Sequence, residues 1–249
     1  MKRPVLAANW KMNNGPTAAK TFAEQFTAGY KPSGERTIII FPPAVALTTV
    51  AKAIGKREGV LFGVQNIHWA EKGAFTGEIS AAMAKDAGAD VVLVGHSERR
   101  HVFGETDAQC AKKCAAASKE GLQFMLCVGE TIQQREAGET ERVVIRQLRE
   151  GLEQTHNLIS ASFAIAYEPV WAIGTGLTAS AADASAIHTV LRLELRQMIG
   201  SAADAIPILY GGSVNTSNAS SLLAADEVDG LLVGGASVDV TSWLAIAQA

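Results

Sequence analysis

Phe163-Ala164-Ile165-Ala166-Tyr167-Glu168-Pro169-Val170-Trp171-Ala172-Ile173-Gly174-Thr175-Gly176-Leu177-Thr178 joins a short apolar run to a glycine-bearing loop. Residues 163–167 read as a buried strand, and Pro169 stops it because proline has no N–H to give a ladder. Glu168 therefore stands at the C-terminal edge of that strand. Pro169, Val170 and Trp171 make a stiff lead-in and Gly174-Thr175-Gly176 a hinge, so residues 169–178 have the make-up of a lid that moves as a block. A carboxylate beneath an apolar lid is a candidate general base, since loss of hydration strengthens it toward a carbon acid. Taken alone, the same residue also reads as a surface glutamate in a strand-to-helix loop, and the rest of the chain has to separate the two.

Outward from this stretch the same unit repeats. Short apolar runs at 5–8, 37–41, 60–64, 91–94, 122–128, 163–167, 206–210 and 230–233 read as strands. Between and after them, helical periodicity falls at 17–30, 45–54, 80–87, 107–119, within 131–154, and at 181–198, 217–225 and 238–247. In the long segment the apolar positions Val144, Leu148 and Leu152 recur at helical spacing. Strands apolar on both faces that alternate with helices call for a parallel sheet covered by helices. Eight units in 249 residues match an α/β fold of one domain, a closed (β/α)₈ barrel over residues 1–249. An open doubly wound sheet is the structural alternative; it is disfavoured because no Gly-x-Gly-x-x-Gly follows the first strand.

Composition narrows the function classes. The chain has 22 basic and 25 acidic residues, net charge −3, which is no surface for a polyanion, so nucleic acid is not an expected partner. The apolar run after Met1-Lys2-Arg3 is too short for a signal-peptide core or a membrane span, so the expectation is a soluble, cytosolic protein without membrane attachment. The three cysteines, Cys110, Cys114 and Cys127, read as reduced thiols. Cys110 and Cys114 share a helical face, but nothing completes a zinc set beside them, and no metal is expected.

In a parallel barrel all strands open their C-terminal ends on one face. Here those ends carry Asn9-Trp10-Lys11, Gly95-His96-Ser97-Glu98-Arg99-Arg100, Glu168, Gly211-Gly212-Ser213 and Gly234-Gly235. Each also has a plain reading. Lys11 is a solvated charge, His96 a structural histidine, Glu98 to Arg100 the first turn of a helix, and the glycine pairs tight turns. What the plain readings do not account for is their convergence. Backbone N–H groups at Ser213, Gly234 and Gly235 suit a phosphate dianion. Glu168 suits removal of a carbon-bound proton, and His96, Asn9 and Lys11 suit stabilisation of the resulting enediolate oxygen.

Asn9-Trp10-Lys11-Met12-Asn13, residues 73–80 (Gly-Ala-Phe-Thr-Gly-Glu-Ile-Ser), 95–100, 167–176 and Tyr210-Gly211-Gly212-Ser213 resemble triosephosphate isomerase over the whole chain. The resemblance implies an intramolecular oxidoreductase, an aldose–ketose isomerase that interconverts dihydroxyacetone phosphate and D-glyceraldehyde 3-phosphate through an enediolate, in glycolysis and gluconeogenesis, without metal or organic cofactor. It implies that Glu168 carries the proton between carbons and that a neutral His96 shuttles protons between oxygens. Lys11 and Asn9 would stabilise charge, with Glu98 placing Lys11. Gly174, Ser213, Gly234 and Gly235 match phosphate-binding positions, and Tyr210 and Ser213 match residues that receive the closed lid. The 65–80 connection is long for a βα loop, and the resemblance implies that it inserts into a second subunit of a homodimer, with Phe75 and Thr76 in contact there. Two departures stand out, Leu177 where the family often has Lys and Ala7-Ala8 where Gly is common. Rival readings are another phosphosugar enzyme on the same barrel, which would want a Schiff-base lysine or a second acid or base, and a non-catalytic scaffold, which would tolerate loss of Glu168 or His96.

Overall fold

The structure, a computed structural model, describes residues 1–32, 34–158, 162–172 and 179–249. Among these, β1 Val5–Asn9, β2 Thr37–Phe41, β3 Val60–Val64, β4 Val91–Val94, β5 Gln123–Val128, β6 Phe163–Tyr167, β7 Ile208–Tyr210 and β8 Gly230–Val233 pair in chain order, and β8 returns to β1. Every pairing is parallel, with Val5 opposite both Thr37 and Gly230 at the closure. The α/β barrel expected from the repeat is thus present. The helices are α1 Pro16–Gly29, α2 Ala44–Ile54, α3 Ala81–Asp86, α4 Ser97–His101, α5 Asp107–Lys119, α6 Ile132–Glu136, α7 Thr140–Leu152, α8 Ala181–Ile199, α9 Ala219–Leu223 and α10 Val240–Ala247. None of the described helices is long and apolar enough to cross a membrane.

Two departures from the sequence reading have local causes. The segment 131–154 holds two helices, because Gly138 takes φ 70°, a left-handed position that ends α6 and lets the chain restart at Thr140. β7 begins at Ile208, since Pro207 ahead of it has no N–H to enter the ladder. α4, the short helix that the sequence reading begins at His96, follows β4 directly, and His96 caps it.

Two apolar shells hold the barrel. The inner one stacks alternate strand residues on the axis, among them Ala7, Leu93, Cys127, Ala166, Leu209 and Leu232. The outer one joins the opposite strand faces to the helices, with Trp10, Leu148 and Trp243 fully buried. Because side chains alternate along a strand, this parity decides what reaches the barrel mouth.

Candidate active site

Two residues beyond each inward-facing one, the chain presents its mouth residue. Ala7 leads to Asn9, Ala166 to Glu168, Leu209 to Gly211 and Leu232 to Gly234. All four line one cavity of about 270 Å³, together with Lys11, His96 and Ser213. A wider groove of about 1020 Å³ lies at the other end of the barrel between α2 and α3, where Lys52, Lys56, Arg57 and Lys85 mix with Glu58, Asp86 and Asp90. Mixed charge in an open groove does not make a reaction site, and barrel chemistry belongs at the C-terminal face.

Glu168 is 2 % exposed. Its backbone is clamped, its N–H reaching the Val128 carbonyl at 2.8 Å while the Gly211 N–H reaches the Tyr167 carbonyl at 2.7 Å. Glycines on either side give it room. A Cβ at Gly129 would fall 1.7 Å from the Glu168 carbonyl oxygen, and one at Gly211 2.9 Å from its Cγ. The carboxylate accepts the Ser97 N–H on Oε2 at 2.9 Å and the Ser97 hydroxyl on Oε1 at 3.1 Å. His96 Nε2 lies 3.1 Å from the same Oε1.

His96 does not follow strand parity, and Gly95 is the reason. Its φ of 70° re-aims the chain, and a Cβ there would meet Arg100 Nη2 and Cys110 Sγ at 2.9 Å. Arg100 fastens this turn, donating to the Gly95 carbonyl at 2.7 Å and the Cys127 carbonyl at 3.1 Å. His96 Nδ1 accepts the Glu98 N–H at 3.2 Å, which leaves the ring proton on Nε2, pointing at Glu168.

Lys11 holds a left-handed backbone, φ 52°, a conformation that costs about 1 kcal/mol or more without glycine. Its N–H is taken by Asn9 Oδ1 at 3.0 Å, and its carbonyl by Gln65 Nε2 at 2.8 Å. Nζ lies 2.7 Å from Glu98 Oε1. A Cβ at Gly234 would come within 3.3 Å of Lys11 Cε, so glycine there leaves the lysine its path across the cavity.

On the opposite wall, the Ser213 hydroxyl donates to the Ala172 carbonyl at 2.6 Å, and Asn218 Nδ2 donates to the Ser213 carbonyl at 2.9 Å. Ser213, Gly234 and Gly235, whose backbone N–H groups are the expected phosphate donors, all line this cavity. Of the expected lid, Pro169 to Ala172 are described, Val170–Ala172 as one 3₁₀ turn. Ile173, Gly174, Thr175, Gly176, Leu177 and Thr178 lie outside the described residues. Phe75 and Thr76 stand exposed on the loop between β3 and α3 and do not line this cavity.

Sequence reading did not single out Ser97, Gln65, Gly129 or Glu130 as functional. Ser97 carried the best signal, standing beside His96 in the quoted motif. Glu130 is fully buried and accepts from Tyr167 O–H at 3.2 Å and Trp171 Nε1–H at 2.8 Å; burial pushes its carboxyl pKa up. The cysteines are buried, and desolvation moves Cys110 up to about 11 and Cys114 and Cys127 well above the usual thiol range, which disfavours the thiolate that nucleophilic chemistry needs.

A closed parallel barrel that gathers a carboxylate, an imidazole and an ammonium around one small cavity at its C-terminal face defines an enzyme of the (β/α)₈ class. The family model of triosephosphate isomerase matches residues 4–249. The chain belongs to the triosephosphate isomerase family. It is 46% identical over 248 residues to the triosephosphate isomerase of Lawsonia intracellularis, covering 98% of this chain and 97% of that one. With the enzyme of Moorella thermoacetica it shares 45% over 247 residues, 99% and 98% of the two chains. The crystal structure of triosephosphate isomerase from Bartonella henselae superposes with a TM-score of 0.89 at 37% identity, covering 99% of this chain and 98% of that chain.

Proposed function

We propose that the protein interconverts dihydroxyacetone phosphate and D-glyceraldehyde 3-phosphate by proton transfer through an enediolate, as an aldose–ketose isomerase of glycolysis and gluconeogenesis. The observation that carries this reading is the 3.1 Å approach of His96 Nε2 to Glu168 Oε1 in a cavity that Lys11 and Asn9 also line. A carbon base and an oxygen acid side by side are what a proton shift between adjacent carbon and oxygen atoms needs.

Substrate phosphate is held by the N–H groups of Ser213, Gly234 and Gly235, with Gly174 as a further contact, and the Lys11 charge reaches across to it. Glu168 leaves Ser97, takes the proton from one carbon and returns it to the next. His96 gives its Nε2 proton to the carbonyl oxygen and recovers one from the neighbouring hydroxyl, so protons balance with no metal or organic cofactor. Lys11 and Asn9 stabilise the enediolate oxygens, and Glu98 places Lys11. Residues 169–178 close over the site, received by Tyr210 and Ser213, and exclude water that would promote loss of phosphate. A cavity of about 270 Å³ suits a three-carbon phosphate.

The same reading takes residues 1–249 as one domain and a homodimer as the active unit. Met12 and Phe103, 95% and 69% exposed, border one cleft and leave an apolar rim open on the single chain. A second cleft of about 240 Å³, lined by Lys11, Met12, Gln65, Glu98 and Phe103, is of a size to take Thr76 from a partner's 65–80 arm. Cytoplasmic location follows from the glycolytic role. The test is a coupled assay with glyceraldehyde 3-phosphate, without added metal, run beside Glu168→Gln. Fast turnover lost by several orders of magnitude in the variant is expected for a missing base; no turnover in the folded parent, or near-normal turnover in the variant, overturns the reading.

A further inference from the structure

Arg135 on α6 takes no part in the steps above, yet its guanidinium joins the segments on either side of Glu168. It lies over the Trp171 indole, Cζ 4.3 Å from the ring centre. Nη2 donates to Asp183 Oδ1 at 2.9 Å, and Asp183 belongs to the first turn of α8, where it also closes the capping box with Ser180. Nη1 stands 3.9 Å from Glu130 Oε1. That oxygen is where the two sides of Glu168 meet, since it accepts from Tyr167, the residue before the base, and from Trp171, three residues after it. The Val170 N–H adds a bond to the Glu130 carbonyl at 3.1 Å.

We propose that Arg135 is a positioning residue for the isomerisation, holding Trp171 against Glu130 until residues 169–178 close and thereby setting the chain on both sides of Glu168. The inference rests on Glu168 being the base. A planar guanidinium is required because it must stack on a ring through its face while donating to a carboxylate through its edge; a lysine ammonium does one or the other. A merely structural ion pair, with a side chain about one-third exposed, would contribute at most about 1 kcal/mol to stability and nothing to turnover.

The experiment compares kcat, KM and thermal stability for Arg135→Gln and Arg135→Lys, each in the parent and in a Trp171→Phe background. Arg135→Gln is expected to lower kcat about tenfold with KM little changed, and Arg135→Lys to recover only part of it. Because Arg135 acts through Trp171, the same Gln substitution should cost clearly less in the Trp171→Phe background, the coupling expected of residues in contact. Should Arg135→Gln fail to fold, the Lys variant is read in both backgrounds in its place. Unchanged kcat in the folded Arg135 variants, or an equal loss in both backgrounds, overturns the inference while leaving the proposed reaction standing. An inactive parent overturns both.

Discussion

Ser97 turns two donors on Glu168, its backbone N–H to Oε2 at 2.9 Å and its hydroxyl to Oε1 at 3.1 Å. His96 Nε2 adds a third contact, 3.1 Å from Oε1. A carboxylate whose two oxygens are both occupied is oriented but not yet engaged with a carbon. It has to give up part of this set when substrate arrives, and the turn that carries Ser97 and His96 therefore sets where the base starts from.

Ser97→Ala isolates the hydroxyl, because the backbone donor stays. A hydrogen bond to a charged group contributes about 1.5–3 kcal/mol, and partial loss of that orientation should lower kcat about tenfold. Steady-state kinetics on a variant with unchanged thermal stability decides it. A kcat equal to the parent's would show that the hydroxyl has no part in placing the base.

Lys11→Met removes the ammonium while keeping most of the apolar stem, and the Asn9 and Gln65 contacts to the backbone remain available. Affinity for a phosphate-bearing inhibitor should fall by roughly a hundredfold, the scale of a lost charge-assisted contact in a partly buried site. Titration calorimetry with such an inhibitor reads this directly. Equal affinity would remove Lys11 from the phosphate and enediolate sites.

How far the sequence carried the structure follows from the range of each interaction. β6 and the placing of Glu168 were legible because an apolar run and a proline two residues later are local signals, and inward parity then follows from the strand alone. The split of 131–154 at Gly138 was not, since an isolated glycine inside a helical pattern is tolerated and does not by itself mark an end. Contacts that cross the barrel were out of reach of any local pattern. Gln65 holds Lys11 from 54 positions away, Ser97 meets Glu168 across 71, and Trp171 meets Glu130 across 41. The positions of Asn9, His96 and Glu168 came from strand ends, but their particular roles came from resemblance to a family.

His188 gives the protein an acid-sensitive element away from the cavity. Its Nδ1–H donates to the Glu227 carbonyl at 2.9 Å, its ring meets Tyr167 edge-on at 6.0 Å, and complete burial pushes its pKa down to about 4. Unfolded, it titrates near 6.5. Between these values the unfolded chain binds a proton that the folded one refuses, so the contribution is fully present above about pH 6.5 and is lost as pH falls toward 4, up to about 3 kcal/mol. Urea unfolding at pH 7.5, 6 and 5 should show this slope, and His188→Gln should flatten it. Parallel slopes in the two proteins would place the acid sensitivity elsewhere.

Phe75 leaves 46% of its surface exposed although its ring lies 4.2 Å from that of His68, which in turn stacks on Trp69. The aromatic stack stiffens the 65–80 arm and turns one edge outward, beside exposed Thr76. If that edge is buried in a partner's cleft next to Lys11 and Met12, a charge placed on it loses its hydration without gaining a partner, a cost of several kcal/mol. Phe75→Glu and Thr76→Arg should therefore sediment as monomers and turn over poorly, while each subunit keeps its barrel by circular dichroism. A sedimentation profile identical to the parent's would refute this contact and leave the exposed arm without a role in assembly.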